Sequence, residues 1–318
     1  MSVFLGIDTS NYTTSVAAFD NENNIMVSEK KLLPVSQSAC GLRQSDAVFH
    51  HVKQLAEVSR SVISKIGKPP SAIGFSISPC DFEGSYMPCF LVGKMVAEIL
   101  QAVYNAKIYS FSHQRGHIAA ALYSVDNIKM LESEFIALHI SGGTTDILKV
   151  CPDKEKIIKV ECIGKSLDLK AGQAVDRVGV MLGLSFPCGA NLEKMALESD
   201  KTFKIKPFVK GFDCSLSGIE NIAKKMYDCG ECHNDIAKFC LDYIGESIFK
   251  VCENVKNDYP ELPFVFAGGV MSNGALQTKL KEKFGGFFAK PQYSSDNAAG
   301  ISILCKIAFE RNLVEFQG

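Results

Sequence analysis

Two histidines, His113 and His117, stand four residues apart in the stretch Ser112–Ile118. If this stretch is a helix, positions i and i+4 place both imidazoles on one face, at a separation that allows them to bind one metal ion. The chain has only six histidines, so the spacing is notable, although two exposed or capping histidines would give it as well. A third, carboxylate ligand would complete a site suited to iron(II) or zinc, and spacing alone does not identify it.

Two turns rich in small hydroxyl residues and glycine are candidates for phosphate binding. Thr9–Thr14 separates two apolar segments near the N-terminus, and Ser141–Asp146 separates two more near the middle of the chain. Backbone N–H groups converge in such turns and can bind phosphate oxygens without a cationic side chain. Asp8 and Asp146 would then be placed to hold a metal ion or water near the phosphates. A pair of ordinary hairpin turns is the alternative.

A third candidate is the stretch Ala267–Asn273, which lies between a predicted strand and a predicted helix. Gly268 and Gly269 would let the backbone approach a base or a ribose closely. Asn273 stands at the helix start, where a plain helix cap would also favour asparagine. This element is therefore weak evidence by itself.

The elements that position these residues follow an α/β pattern. The predicted strands are Val3–Asp8, Ser15–Phe19, Ala72–Ser78, Ala106–Ser110, Phe135–Ile140, Ile147–Val150 and Leu262–Ala267. The predicted helices are Ser45–Ile66, Leu91–Tyr104, Gly172–Leu184, Ser217–Asp228, Ile236–Lys256, Asn273–Phe284 and Asp296–Arg311. Because a strand–turn–strand unit recurs once in each half, we expect a duplicated fold with two similar lobes that face each other.

Composition limits the classes of function. The chain has 318 residues, 47% of them hydrophobic, and a formal net charge of −1. It has no general basic surplus, so a nucleic-acid substrate would need a local basic patch or a partner subunit. The apolar N-terminal stretch is too short for a signal peptide and no run approaches a membrane span. We therefore expect a soluble cytoplasmic protein whose twelve cysteines are reduced and mostly buried.

The stretch Cys229-Gly230-Glu231-Cys232-His233 spells the attachment motif of c-type haem. That chemistry belongs to exported proteins, and no export signal is evident here. We interpret the stretch as a loop between two helices, whose thiol pair could bind a metal or become oxidised.

Seven motifs, in order, resemble those of the TsaD/Kae1/Gcp family, formerly classed as glycoproteases. They are Gly6–Ser10, the His113/His117 pair, Ser141–Thr145, Ala171–Asp176, Ser215–Gly218, Gly268–Asn273 and Ser295–Ala299. The resemblance covers nearly the whole chain. It implies the two-lobed, duplicated α/β fold of actin, Hsp70 and sugar kinases (ASKHA), with residues 1–108 and a closing helix 297–318 as the N-terminal lobe and residues 109–296 as the C-terminal lobe.

The resemblance also implies an activity. Members of the family transfer the threonylcarbamoyl group of threonylcarbamoyl-adenylate to N6 of adenosine 37 of tRNA, with a divalent metal, Fe²⁺ or Zn²⁺, and with partner proteins of the TsaB and TsaE types. The metal ligands carried over are His113, His117 and Asp296. The catalytic first turn would contribute Asp8 and Ser10. The substrate-binding positions are Leu138, His139, Ile140, Ser141, Gly142, Asp176, Gly189 and Asn273, and the nucleotide-binding glycines are Gly143, Gly268 and Gly269.

The chain departs from the family pattern in its first turn. Asn11-Tyr12-Thr13-Thr14 stands where the family has Cys-Asp-Glu-Thr, so both acidic residues are missing. Further departures are Ser78–Gly84, Thr144, Lys170 and Cys188. The chain thus resembles a divergent paralogue of the family. Two alternatives remain open, a nucleotide-binding regulatory or scaffold subunit without turnover, and a carbamoyl transferase or kinase that acts on a small molecule.

Overall fold

Strands and helices alternate along the chain, as the sequence pattern predicts. A computed structural model describes residues 2–10, 12–34 and 42–317. The strands are β1 (Val3–Ser10), β2 (Thr13–Asp20), β3 (Ile25–Leu32), β4 (Ala72–Ser78), β5 (Lys107–Ser112), β6 (Phe135–Ile140), β7 (Thr145–Asp153), β8 (Ile157–Lys165), β9 (Phe208–Lys210), β10 (Asp213–Ser215), β11 (Phe264–Ala267) and β12 (Phe287–Phe288).

The helices vary in length from one turn to seven. They are α1 (Gln44–Ile66), α2 (Phe90–Tyr104), α3 (His113–Ser124), α4 (Ala171–Met181), α5 (Gly189–Leu197), α6 (Ser217–Asp228), α7 (His233–Asp258), α8 (Gly274–Phe284), α9 (Pro291–Ser294) and α10 (Ala299–Glu310). Short 3-10 helices occupy Ile128–Glu132 and Gly269–Ser272. Within the described ranges, no helix combines the length and apolar character needed to cross a membrane.

The chain divides into two compact units. The first comprises Met1–Ser133, Cys151–Val160 and Ser295–Gly318, and the second comprises Glu134–Val150 and Glu161–Ser294. Residues 109–133 and 151–160, which the predicted boundaries 1–108 and 109–296 assign to the C-terminal lobe, belong to the first unit of this division. For residues 109–133, the reason is that α3 packs against α10 within that unit.

The first unit is built on a five-stranded sheet with the order β3-β2-β1-β4-β5. Strand β1 pairs antiparallel with β2 and parallel with β4, and β4 pairs parallel with β5. Helix α1 turns Leu55, Val58 and Val62 towards this sheet, where they join a buried cluster with Ile7 and Phe75. Because β1 is central and buried along its whole length, its C-terminal end is held firmly in place.

Glycines allow α10 to approach both β1 and α3 closely. A Cβ atom on Gly6 would lie 2.5 Å from the carbonyl oxygen of Ala298, and one on Gly300 would lie 1.8 Å from that of Gly116. Neither approach is compatible with a side chain. The Ser302 hydroxyl adds a hydrogen bond of 2.7 Å to the Phe4 carbonyl. The start of α10 is therefore fixed against both the first strand and the helix that carries the histidine pair.

The second unit repeats the strand order of the first, as β8-β7-β6-β11-β12. Strand β6 pairs antiparallel with β7 and parallel with β11, which pairs parallel with β12. Helices α4 and α7 supply much of the core that covers this sheet, including Val178, Ile248 and Val251. The repeated order confirms the predicted duplication.

The Cys229–His233 stretch links two helices, as predicted. Helix α6 ends at Asp228 and α7 begins at His233. Both thiols are exposed, and the His233 ring stacks on Tyr227 with ring centroids 5.5 Å apart. Among the described residues the stretch is not part of a three-ligand group.

Candidate active site

The two histidines project from the first turns of α3. The helix begins where β5 ends, because the Ser112 hydroxyl caps it by accepting a hydrogen bond from the Arg115 N–H. His113 and His117 lie one turn apart on the same face. Their Nε2 atoms are 2.9 Å apart.

Asp296 completes a three-ligand group. Its Oδ1 atom lies 3.2 Å from Nε2 of His117 and 3.5 Å from Nε2 of His113. One ligand atom from each residue lies within 4.8 Å of the others. All three residues belong to the first unit, so the structure brings together candidate ligands that the sequence separates widely.

Asp8 lies directly behind this group. Its Oδ1 atom is 3.0 Å from Nδ1 of His113, which leaves Nε2 of that ring directed towards Asp296. Such a carboxylate–histidine contact is the usual way in which proteins orient a metal-binding imidazole. Asp8 is completely buried, and its Oδ2 atom and the Ser10 hydroxyl have no hydrogen-bond partner among the described residues. Two imidazole nitrogens, a carboxylate and nearby unpaired polar atoms fit a divalent transition metal.

The charges in this group are strongly coupled. Burial opposes the charged form of His113, but the carboxylates of Asp8 and Asp296 outweigh it and raise the pKa of His113 to about 10. Burial and the neighbouring His113 charge lower the pKa of His117. Although burial opposes it, hydrogen bonds from both rings hold the pKa of Asp296 well below its usual range. These directions favour the proton on His113 rather than on His117, and the ionised form of Asp296.

The divergent first turn reaches the same group through Thr13. The Thr13 hydroxyl donates a hydrogen bond of 3.4 Å to Oδ2 of Asp296, the oxygen that the histidines do not contact. Tyr12 is 37% exposed, and Asn11 lies outside the described residues. A hydroxyl donor to the ligand carboxylate thus stands where the resemblance implies an acidic residue.

His51 is a further residue behind this turn, and the sequence pattern did not single it out. Its Nδ1 atom lies 2.8 Å from the Thr14 hydroxyl, which itself donates to Oε1 of the Gln54 side chain at 3.0 Å. Burial lowers the pKa of His51, while the Ser10 carbonyl and the Asp8 charge act in the opposite direction. The sequence did contain a signal that His51 is buried, because this residue stands four positions before Leu55, a core residue of α1.

In the second unit, the glycine turns lie against one another. The Gly172 N–H donates to the Ser141 carbonyl, and a Cβ atom on Gly172 would lie 2.5 Å from Cα of Gly142. Gly268 has a positive φ of 100°, and its Cβ atom would lie 2.2 Å from the Ile140 carbonyl oxygen. The start of α4 therefore contacts the predicted phosphate-binding turn, and Gly268, directly after β11, contacts Ile140, the residue that precedes this turn.

Apart from Gly268, the predicted binding glycines border open space. A Cβ atom would meet nothing within 4 Å at Gly142, Gly143, Gly189 or Gly269. Leu138 and His139 of β6 are instead buried, with Leu138 in the hydrophobic core. A ligand could thus approach the backbone at these glycines, whereas the Leu138 side chain serves the core.

The remaining predicted binding residues are joined through α5. The Asp176 carboxylate accepts a hydrogen bond of 2.9 Å from the Cys188 N–H, directly before Gly189, and burial raises the pKa of Asp176. Asn273 caps α8 by accepting from the Leu276 N–H at 2.9 Å. The next N–H, of Gly274, donates to Glu193 of α5 at 2.9 Å. Glu193 was not foreseen, because nothing in the sequence marks a helical glutamate as a bridge to another helix.

The duplicated sheets and the polar strand ends define an ASKHA-type protein. Solved structures support this class. One is component A of (R)-2-hydroxyglutaryl-CoA dehydratase from Acidaminococcus fermentans, with 14% identity, coverage of 97% of this chain and 100% of that chain, and a TM-score of 0.56. Another is HypF from T. kodakarensis, with 11% identity, coverage of 99% of this chain and 48% of that chain, and a TM-score of 0.65. A third is a ROK family glucokinase from Streptomyces griseus, with 10% identity, coverage of 96% and 100%, and a TM-score of 0.52. At these identities the similarities show the fold alone.

Within this class, the chain belongs to the TsaD family of tRNA N6-adenosine threonylcarbamoyltransferases, whose model matches residues 35–303. The family is one of transferases in tRNA processing. The matched range includes His113, His117 and Asp296, together with the whole second unit. Strands β1 and β2, which flank the divergent first turn, lie before it.

Proposed function

We propose that this protein transfers a threonylcarbamoyl group from threonylcarbamoyl-adenylate to N6 of adenosine 37 of tRNA, in a metal-dependent reaction. One observation carries the proposal, the convergence of His113, His117 and Asp296 within 4.8 Å in a chain of the TsaD family. A cytoplasmic location follows from such a substrate.

His113, His117 and Asp296 would hold the divalent ion, Fe²⁺ or Zn²⁺. A bound ion of this kind acts as a Lewis acid towards a phosphate or carbonyl oxygen. Once His113 has lost a proton to bind the ion, Asp8 would fix the tautomer of the ring by accepting from its Nδ1–H group. Thr13 restrains the Asp296 carboxylate by donating to its second oxygen.

The adenylate is proposed to bind the second unit. The open backbone at Gly142, Gly143 and Gly269 supports contact with phosphate or ribose oxygens. Asp176, whose carboxylate is tied to the turn before Gly189, would bind a sugar hydroxyl.

Asn273 needs a test that separates binding from helix capping. Replacing this residue by alanine removes the cap and costs typically about 1 kcal/mol of stability. Asn273→Ser keeps a capping oxygen but loses the amide, so it is the informative variant. In calorimetry with AMP, ATP and a non-hydrolysable adenylate, we expect weaker binding by both variants and normal stability for Asn273→Ser. Unchanged affinity in both would remove this side chain from the site.

We further propose tRNA as the acceptor, with TsaB-like and TsaE-like proteins as partners. Helix α2 presents an apolar stripe of Leu91, Met95, Ile99 and Val103, each 49–68% exposed and spaced by four residues. A TsaB-like subunit is the occupant we propose for this stripe. Met95→Lys with Ile99→Lys should abolish co-elution with that subunit, whereas persistent co-elution would place the interface elsewhere.

The release of AMP from threonylcarbamoyl-adenylate tests the reaction itself. We expect unmodified tRNA to accelerate release by the metal-loaded protein, and Asp296→Ala to abolish this acceleration. If tRNA has no effect but a small amine or alcohol does, the small-molecule transferase is the better account.

A nucleotide-binding subunit without turnover is the second candidate. It is favoured by the contact between Thr13 and Asp296, where the resemblance implies a carboxylate. Tight adenylate binding without any AMP release, with or without partners, would support it.

A further inference from the structure

A short segment of the second unit, residues 203–210, alternates between packed and exposed side chains at every position. Phe203, Ile205 and Val209 pack against the core of this unit. The residues between them are exposed, namely Lys204, Lys206, Phe208 and Lys210. A period of two is typical of an extended chain, so these four side chains share one outward face. We call this set the basic ribbon.

The ribbon combines unneutralised lysines with an exposed aromatic ring. Within the described part of the chain, neither Lys204 nor Lys206 has an ion-pair partner, whereas the nearby Lys201 pairs with Glu231 at 2.6 Å. Phe208 is 56% exposed although it lies in strand β9. Strand β10 pairs with β9 and places the acidic residue Asp213 opposite Lys210, whereas Lys204 and Lys206 lie before this strand pair.

If tRNA is the acceptor, the protein needs a surface that binds single-stranded RNA. The N6 amine of a paired adenine is engaged in its base pair, so an adenosine modified at N6 must be unpaired. Proteins bind unpaired loops by stacking bases on aromatic rings and by placing lysines at phosphates. Because the chain as a whole has a net charge of −1, such binding requires a local basic surface.

On the basis of the proposed function, we propose that the basic ribbon binds the single-stranded loop of the RNA substrate. Lys204 and Lys206 contact backbone phosphates, and Phe208 stacks on an unpaired base. The packed residues Ile205 and Val209 hold the ribbon against the second unit, so the exposed face is presented without a change of fold.

Fluorescence anisotropy with labelled tRNA, over a series of salt concentrations, tests the lysines. For Lys204→Gln with Lys206→Gln we expect the slope of log affinity against log salt to fall by about 0.7 for each phosphate that the variant no longer neutralises. The matched control is Lys281→Gln with Lys283→Gln, two exposed lysines in the last turn of α8, which should leave the slope unchanged.

Phe208 is tested by a pair of substitutions. Phe208→Ala should weaken tRNA binding about tenfold, whereas Phe208→Tyr, which keeps the ring, should bind like the wild type. Both should leave adenylate affinity unchanged, because neither alters the predicted nucleotide-binding residues.

The outcomes separate this proposal from the proposed function. If the wild-type protein modifies tRNA but the ribbon variants bind it equally well, the ribbon is not the RNA surface and the transferase assignment stands. If the wild-type protein binds tRNA through the ribbon but transfers nothing, the ribbon stands and the proposed reaction fails. If it binds no tRNA at all, both fail.

Discussion

Asp8 determines which nitrogen of His113 faces the proposed metal site. Its carboxylate accepts from Nδ1 at 3.0 Å and leaves Nε2 beside Asp296. Asp8→Asn keeps the size of the side chain and removes the charge, so we expect metal affinity to fall about 10–100-fold. Competition titration against a coloured chelator measures this change, with Asp228→Asn at the exposed end of α6 as the control. Equal affinity in both variants would show that the contact has no influence on binding.

Metal binding should release a proton from His113. The pKa of His113 is raised from 6.5 to about 10, mainly by Asp8 and Asp296 against the opposing effect of burial. Since only the deprotonated ring can ligate, affinity should increase as the pH rises towards 10. Without metal, the same shift contributes stability that is complete below pH 6.5 and is lost as the pH rises through 10. Calorimetry in buffers of different ionisation enthalpy counts the proton, and a buffer-independent heat would contradict this assignment.

The first turn should limit the rate of transfer. Neither Tyr12 nor Thr13 supplies a carboxylate, whereas general acid–base assistance is typically worth about 10²–10⁴-fold. We expect slow transfer by the wild type and faster transfer by Tyr12→Asp with Thr13→Glu. Thr13→Val serves as the control, because it removes the hydrogen bond to Asp296 without adding a charge. A wild-type rate like that of a relative with the acidic turn would show that the turn does not matter.

At the scale of elements, the crossing of α3 and α10 fixes the ligand geometry. On Gly300 a methyl group would meet backbone atoms of Gly116 and Ala120, whereas on Gly116 it would meet mainly the flexible end of Ile301. Gly300→Ala should therefore cost about 3 kcal/mol or more and weaken metal binding. Gly116→Ala should be nearly neutral, because the gain in helix propensity of about 1 kcal/mol offsets a small shift of Ile301. Urea denaturation measures the stability of both variants. Equal losses of stability would contradict the claim that the close packing of α10 on α3 depends on Gly300.

Elements with strong local patterns could be predicted from the sequence. The limits of Ala72–Ser78, Phe135–Ile140 and Ser217–Asp228 agree with β4, β6 and α6. Strand β3 was missed because it is a largely exposed outer strand with the polar run Ser28–Lys31, which hides the period of a strand. The strands β9 and β10 were missed because three residues carry too little pattern.

The candidate site was only partly predictable, because some of its contacts depend on long-range packing rather than on local spacing. The i, i+4 spacing of His113 and His117 is local and can be read from the sequence. Asp296 was reached through the family resemblance, because its approach to α3 depends on how α10 packs. The contact between Asp8 and His113 joins residues 105 positions apart, and only the packed sheet brings them together.

At the scale of the whole molecule, the two copies of the duplicated sheet carry different sets of candidate functional groups. The first copy carries a buried carboxylate and the histidine–aspartate group, and the second copy carries open glycine turns. Because the net charge of the chain is −1, attraction of RNA requires a local basic surface, which we propose is the basic ribbon. The proposed function assigns the metal to residues of the first unit and the adenylate to residues of the second.

The most direct test of this account is the appearance of threonylcarbamoyl-adenosine in tRNA. Metal-loaded protein would be incubated with unmodified tRNA, a TsaB-like partner and adenylate labelled with heavy threonine, and the nucleosides would then be analysed by mass spectrometry. We predict a labelled modified adenosine that forms slowly with the wild type and is absent with Asp296→Ala. The absence of labelled adenosine with the wild type, under conditions where an acidic-turn relative modifies the same tRNA, would contradict the proposed function.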